Sequence, residues 1–301
     1  MMQRIVINQF GGPEVLSLET VAQPQPGLTE VVVKTAYAAL NPIDLKTRQG
    51  LGWAAAAIGK RGLWPFCPGY DLSGTVVAVG AESGWQVGDR VCGLVNFPLP
   101  AGCYAEQVAV VGEELVAVPV GLPLQQAAAL PLAALTAAQS LALISRQPGR
   151  LAVLGAAGAV GQLVVQLARH AGWQVVAVGR HCPQPLEAIT AVDAIIDLVG
   201  GDAVLPWLAA MNAAGELVTV PTVTAPALIA AAESHGLKGS GLLVAPDTAL
   251  LARLLAQAAA GTLTLAIGGC WPLVEAGRAQ RQLAAGGCGG KVLLQLAGEC
   301  W

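Results

Sequence analysis

The chain has 301 residues, a formal net charge of -3 and only 16 Lys plus Arg, so two packed lobes are expected and a nucleic-acid surface is disfavoured. Charged residues make up 12% and the AVILMFWYC set 54%, a balance that excludes disorder and raises the question of a membrane span. The longest uncharged stretch, Leu115 to Ser145, is broken by Pro119, Pro123, Pro131, Gln125, Gln126 and Gln139, and nowhere do about 20 apolar residues run together, which argues against such a span.

At the N-terminus, MMQRIVINQFGG puts Asn8 and Gln9 where a secretory segment would have to be apolar. A first strand and a cytoplasmic chain are therefore expected. Up to about residue 120 short β-branched runs follow at Arg4–Asn8, Glu30–Ala38, Gly74–Val79, Arg90–Val95 and Tyr104–Val110, separated by turn formers at irregular spacing, the pattern of a distorted barrel. From Leu124 the period changes. Residues 124–145 read as helix, Leu151–Leu154 as a buried strand, Val160–Ala171 as a helix and Gln174–Val178 as the next strand. Strands at Asp193–Leu198, Glu216–Val220 and Leu237–Val244, with an apolar helix between the first two, continue an alternation that predicts a doubly wound parallel sheet. Thr248–Ala260 is a predicted helix, and the tail Gly268–Leu296 returns to turn-rich, strand-like sequence. The seven cysteines include no CxxC pair, so reduced thiols are expected.

Leu151-Ala-Val-Leu154 runs straight into Gly155-Ala156-Ala157-Gly158-Ala159-Val160-Gly161 and then a helix with Val160, Leu163, Val164 and Leu167 at helical spacing. This strand, turn and helix give a GxGxxG-like motif its dinucleotide-binding context, whereas a plain Gly-rich turn is the bland alternative. Gly155 permits the turn, Gly158 lets the backbone approach a pyrophosphate, and Gly161 lets the helix pack on the strand. The N–H groups of Ala159 and Val160 then face the phosphates. The following strand ends Val178-Gly179-Arg180-His181, with no acid for a ribose 2'-hydroxyl. Arg180, with His181 beside it, suits a 2'-phosphate and so favours NADPH over NADH, unless Arg180 is simply a solvated surface residue.

With these residues in view, the chain resembles the zinc-free quinone oxidoreductases, the zeta-crystallin-like branch of the medium-chain dehydrogenase/reductase superfamily. The ordered motifs are Gly11-Gly-Pro-Glu-Val-Leu16, Asn41-Pro42-Ile-Asp44 with Arg48 and Gly50, and Pro68-Gly-Tyr-Asp-Leu-Ser-Gly74. They continue with Gly88-Asp-Arg-Val-Cys-Gly93, Gly102-Cys-Tyr-Ala-Glu106, Leu135-Thr-Ala137, Gly155 to Gly161, Asp197-Leu-Val-Gly-Gly201 and Gly290-Lys-Val-Leu-Leu294. The resemblance implies an α/β fold with a GroES-like catalytic domain over 1–120 and 250–301, and a Rossmann NADP-binding domain over 121–249. It further implies a cofactor cleft between the domains, a homodimer paired through Leu237–Val244, and a small-molecule quinone or enone substrate.

By the same resemblance, Asn41 and Pro42 lie against the nicotinamide ribose and substrate, and Thr136 near an inner phosphate. Ala156 to Val160, Gly179, Arg180, His181, Val199, Gly200, Val220 and Leu243 line the cofactor. Asp44 and Lys46 follow Asn41 as candidates to hydrogen-bond a substrate oxygen, and Tyr70 is a candidate proton donor. The competing readings are a turn former for Asn41-Pro42, a helix cap for Asp44 and a packing residue for Tyr70. Zinc-using relatives carry Cys at or beside Asn41 and Gly-His-Glu where this chain has Gly69-Tyr70-Asp71. No metal is therefore expected. Residues 51–65, with Trp53 and Trp64, read either as a lid or as packing on the barrel rim.

Only twelve residues, His181 to Val192, separate Arg180 from Asp193, where the family has a further βα unit. The sheet is thus expected to lack edge strand 3 and to cover the adenine less completely. The expected activity is NADPH-dependent hydride transfer to a quinone or α,β-unsaturated carbonyl. The alternatives are a stand-alone enoyl reductase of polyketide or fatty-acid type and a non-catalytic NADPH-binding module.

Overall fold

The computed structural model describes residues 1–99, 101–179 and 191–296. In chain order its elements are β1 (Met2–Ile7), β2 (Leu16–Val21), β3 (Glu30–Ala39), α1 (Pro42–Arg48), α2 (Gly52–Arg61), β4 (Asp71–Val79), β5 (Arg90–Leu94), β6 (Gln107–Val111), β7 (Leu115–Ala117), α3 (Leu124–Ala129) and α4 (Pro131–Ala142). Then come β8 (Arg150–Leu154), α5 (Ala159–His170), β9 (Gln174–Val178), β10 (Val192–Asp197), α6 (Leu205–Leu208), β11 (Met211–Thr219), α7 (Ala225–Ser234) and β12 (Lys238–Gly241). The chain continues with α8 (Thr248–Ala259), β13 (Ile267–Pro272), α9 (Ala276–Ala285) and β14 (Lys291–Gln295). Its contacts divide it into two units, Met1–Leu132 with Pro246–Trp301, and Ala133–Ala245.

The first unit is built on a sheet of order β13-β14-β3-β4-β5-β7, with β6 on the other side of β3 and a separate β1-β2 ribbon. Alternate residues of its strands, Val31 and Val33, Leu72 and Val76, Val292 and Leu294, are buried in one core, as a period of two requires. Strands β3 and β14 are antiparallel with Ala39 opposite Leu293, and Ala39 pairs with Asp71 at the start of β4. Three strand ends, carrying Asn41, Asp71 and Lys291, therefore meet at one edge.

The second unit is a parallel sheet of order β12-β11-β10-β8-β9. Leu151–Leu154 and Ala194–Ile196 are buried without alternation, because helices cover both faces of a parallel sheet. Among the described residues β9 is an edge strand. The segment expected to replace the missing βα unit, together with Arg180 and His181, lies outside the described residues.

Several elements differ from their sequence-based expectation, among them the ten-residue helix α9 inside the tail expected to be turn-rich and strand-like. The helix expected over 124–145 is two, α3 and α4, because Pro131 has no N–H to continue the first ladder and instead opens the second helix. The apolar helix expected after Leu198 is the one-turn α6, confined by Gly200, Gly201 and Pro206. The strand expected over Leu237–Val244 is limited to the four residues of β12. Residues 51–65 divide their roles: α2 buries Ala54, Ala55 and Ile58 and leaves Trp53 60% exposed, while Trp64 packs between Phe10 and Phe66 at centroid distances of 4.8 and 5.4 Å. Among the described residues no helix is long and apolar enough to cross a membrane.

Candidate functional site

In the second unit β8 ends at Leu154, and the chain reverses through Gly155 at φ +88°, a conformation glycine adopts without a Cβ penalty. The N–H groups of Gly155 and Ala156 both donate to the Val178 carbonyl at 2.9 Å, and that of Gly158 donates to the Gly155 carbonyl at 3.0 Å. Ala156 thus contributes its backbone surface, since its N–H is already engaged. Helix α5 starts at Ala159, and in its first turn no preceding helical carbonyl faces the N–H groups of Ala159 and Val160. Those groups and the positive end of the helix dipole are of the kind that can hold an anion. A Cβ on Gly161 would lie 2.2 Å from the Gly155 carbonyl oxygen and 2.6 Å from the Ala156 Cα. This close approach is what holds the helix end against the turn.

Asp197, fully buried at the end of β10, shapes the neighbouring loop. One oxygen accepts from the Val199 and Gly200 N–H groups at 2.8 and 2.9 Å, and the other from the Thr219 hydroxyl at 2.7 Å. Val199 is left 56% exposed, with its side chain beside Gly155. Gly179 adjoins Ala157, and Val220 is tied through its N–H to the Asp197 carbonyl. The turn, Gly179, Val199, Gly200 and Val220 thus share the carboxyl end of the sheet, where ligands of open α/β folds bind. Leu243, 77% exposed, lies just past β12. Thr136 is buried on α4.

In the first unit the amide of Asn41, 3% exposed, is bonded on both sides. Its Nδ2 donates to Asp71 Oδ2 at 2.9 Å and to the Ala39 carbonyl at 3.4 Å, and its Oδ1 accepts from Lys291 Nζ at 2.5 Å. Lys291 also pairs with Asp71 Oδ2 at 3.2 Å, while Asp71 Oδ1 accepts from the Leu132 N–H in the first turn of α4 at 2.9 Å. Asp71 and Lys291 have no role expected from the sequence, although each stands alone as a charge at the head of an apolar strand. A buried charge of that kind requires a partner.

Asp44 is 1% exposed, and its carboxylate accepts from the Asn41 N–H at 2.7 Å and the Gly69 N–H at 3.1 Å. It fastens the start of α1 to the Pro68-Gly69 turn, the carboxylate half of a capping box. Pro42 fills the first position of that helix, where its missing N–H is no loss. Burial pushes the Asp44 carboxyl up to about 7, against the lowering effect of the Asn41 N–H. A carboxyl raised on folding favours the native state while protonated. Stability is therefore expected to fall from about pH 4 to about pH 7 by up to about 1.4 kcal/mol per pH unit, and to level above that. Chemical denaturation across that range checks this, and Asp44→Asn is expected to remove the slope.

Tyr70 is 2% exposed, edge-on to Phe97 at 5.4 Å and 70°, and burial, with the Asp44 charge second, raises its hydroxyl above the usual range. Lys46, half-buried in the last turn of α1, is placed with Asn41 and Asp44 only by their shared helix. Arg48, 2% exposed, bonds Gln280 at 2.6 Å and the Gly11 carbonyl at 2.5 Å. It ties α1 to α9 and to the N-terminal turn.

Residues 27–120 match the family described as alcohol dehydrogenase GroES-like domain, and residues 172–294 match the one described as zinc-binding dehydrogenase. The solved quinone oxidoreductase from Coxiella burnetii superposes with a TM-score of 0.91 at 32% identity, over 98% of this chain and 99% of that one. The chain belongs to the quinone oxidoreductase family of the medium-chain dehydrogenase/reductase superfamily. Among this family's curated relatives, 2-methylene-furan-3-one reductase of Solanum lycopersicum is 42% identical over 170 residues, 54% of this chain and 42% of its own length. The chloroplastic NADPH-dependent alkenal/one oxidoreductase of Arabidopsis thaliana is 38% identical over 56% of this chain and 45% of its own length. The chain thus matches less than half the length of these curated relatives.

The zinc implied by one family description does not fit the residues present. By the resemblance, Tyr70 and Asn41 or a neighbour of it stand where zinc-using relatives carry ligands, and the Asn41 oxygen already faces the Lys291 ammonium at 2.5 Å. Among the described residues no three His, Cys, Asp or Glu gather to hold a metal ion. The glycine turn, by contrast, suits a dinucleotide, because it leads into α5, whose first-turn N–H groups have no preceding helical carbonyl.

Proposed function

We propose that this protein is an NADPH-dependent reductase of quinones or α,β-unsaturated carbonyls that works without zinc. The observation that carries the reading is the Gly155–Gly161 turn at the head of α5, with amide N–H groups aimed at an anion and no room for a side chain at Gly161. When bound, the reduced nicotinamide supplies the hydride. The protein's part is orientation: the glycine turn holds the pyrophosphate, the Asp197-braced loop at Val199 and Gly200 lines the cofactor, and Asn41 faces the nicotinamide ribose. Thr136, Gly179, Val220 and Leu243 complete the cofactor lining.

Asp44 has both oxygens engaged, and Tyr70 is buried against Phe97. The proton that completes carbonyl reduction is accordingly assigned to solvent, and Asp44 to shaping the Asn41 turn. Arg180 and His181 are assigned to the 2'-phosphate. The protein is further proposed to be cytoplasmic and dimeric, paired through β12, an edge strand among the described residues.

Fluorescence titration tests the cofactor assignment. NADPH is expected to bind at least tenfold more tightly than NADH, and Arg180→Ala to abolish that preference, since a charge-assisted hydrogen bond contributes about 1.5–3 kcal/mol and about 1.4 kcal/mol is tenfold. Tighter NADH binding would overturn it. A panel of benzoquinones, enones and enoyl thioesters then defines the electrophile. Turnover of thioesters alone would select an enoyl reductase, and binding without any turnover would make this a cofactor-binding module.

A further inference from the structure

We propose that Asp71 and Lys291 are positioning residues that fix Asn41 as a hydrogen-bond acceptor, and only an acceptor, toward the cofactor. The inference rests on the reading that Asn41 faces the nicotinamide ribose. An amide side chain offers two N–H donors and two oxygen lone pairs. Both donors of Asn41 are spent, on Asp71 Oδ2 and the Ala39 carbonyl, and one lone pair is spent on Lys291 Nζ. These bonds leave one lone pair of Oδ1, for which the Asp44 N–H of the capping box is the competing donor within the chain.

The orientation is locked by charge. Flipping the amide would set its NH2 against the Lys291 ammonium and its oxygen against the Asp71 carboxylate, replacing two attractive contacts with two repulsive ones inside a site where Asp71 is 0% and Lys291 3% exposed. Buried polar contacts of this kind are strong when satisfied and expensive when mismatched. The ammonium also withdraws charge from Oδ1, so the remaining lone pair suits a neutral donor, such as a ribose hydroxyl or a carboxamide N–H. The strand register explains how residues 30 and 220 positions apart in sequence come to share one amide: β14, β3 and β4 end together.

The test is a cycle of NADPH affinities by fluorescence, using Asn41→Ala and the paired variant Asp71→Asn/Lys291→Met, which removes both buried charges together so that neither is left uncompensated. Each is expected to weaken NADPH binding about tenfold, and the triple variant no more than twofold beyond either, because the pair acts through Asn41. Multiplying losses, or a paired variant that binds as the wild type does while Asn41→Ala is impaired, would overturn the assignment. An Asn41→Ala variant with unchanged affinity would overturn it too, by removing Asn41 from the cofactor, while leaving the proposed reductase activity to stand or fall on turnover by the wild type. A second readout is independent of affinity. With 15N-asparagine labelling, the two Asn41 side-chain protons are expected to exchange slowly with water, with and without NADPH, and quickly in the paired variant. Fast exchange in the wild type would contradict a locked amide.

Discussion

Gly161→Ala is expected to abolish measurable NADPH binding, a loss of at least a hundredfold in affinity. The added methyl would begin 2.2 Å from the Gly155 carbonyl oxygen, 2.6 Å from the Ala156 Cα and 2.8 Å from the Ala156 carbonyl carbon. All three are backbone atoms of the turn proposed to receive the pyrophosphate, so no side chain can swing aside to make room. Relief requires α5 to move away from β8, which carries the Ala159 and Val160 N–H groups off the phosphates and loosens a helix that buries Leu163, Val164 and Ala168. Position 158 is the internal control. A Cβ there meets only the Gly155 carbonyl oxygen, at 3.4 Å, so Gly158→Ala is expected to fold normally and to weaken NADPH less, through its approach to the phosphate. Calorimetric titration of both variants checks the ranking, and equal losses would contradict the packing argument.

Lys291→Met alone is expected to destabilise the protein by about 3–5 kcal/mol, because Asp71 is then left buried without its counter-charge. In thermal unfolding this is a drop on the order of 10 °C, at about 2–4 °C per kcal/mol for a chain of this size class. The paired variant Asp71→Asn/Lys291→Met is expected to recover most of that loss, since no charge remains to be compensated. Asp71 has a second duty, accepting from the Leu132 N–H at the first turn of α4, and an asparagine oxygen can take it over. If the single and paired variants melt together, the ion pair does not set the stability of this edge of the sheet.

Much of the second unit was legible in the sequence for a physical reason. A strand buried on both faces, a turn whose glycines are demanded by sterics, and an amphipathic helix are all local patterns, so Leu151 to Ala168 could be read within a single window. Asn41 and Asp44 were legible as candidates through the family resemblance, and the competing helix-cap reading of Asp44 is matched by its carboxylate accepting from the Asn41 N–H. The Lys291–Asp71–Asn41 network was not legible. Its members are brought together by antiparallel register across β14, β3 and β4, and register between distant strands leaves no local trace. The remaining signal was indirect: a single lysine heading Lys291-Val-Leu-Leu294 and a single aspartate heading the run from Asp71 into β4, each too costly to bury unpaired. For Tyr70 the sequence leaves a proton donor and a packing residue both open, and the fold turns the ring edge-on to Phe97.

Transfer of a hydride from the bound cofactor to an electrophilic carbon or quinone can be followed with an isotope. The protein is mixed with NADPH carrying deuterium at nicotinamide C4 and with a simple α,β-unsaturated ketone, and the products are analysed by mass spectrometry and NMR. The account predicts deuterium at the β-carbon of a saturated ketone, a solvent-derived proton at the α-carbon, and one NADP+ formed for each ketone reduced. A quinone in its place is expected to oxidise the cofactor with the same stoichiometry. Tight NADPH binding with the cofactor left unoxidised by every quinone and enone tried would contradict the account.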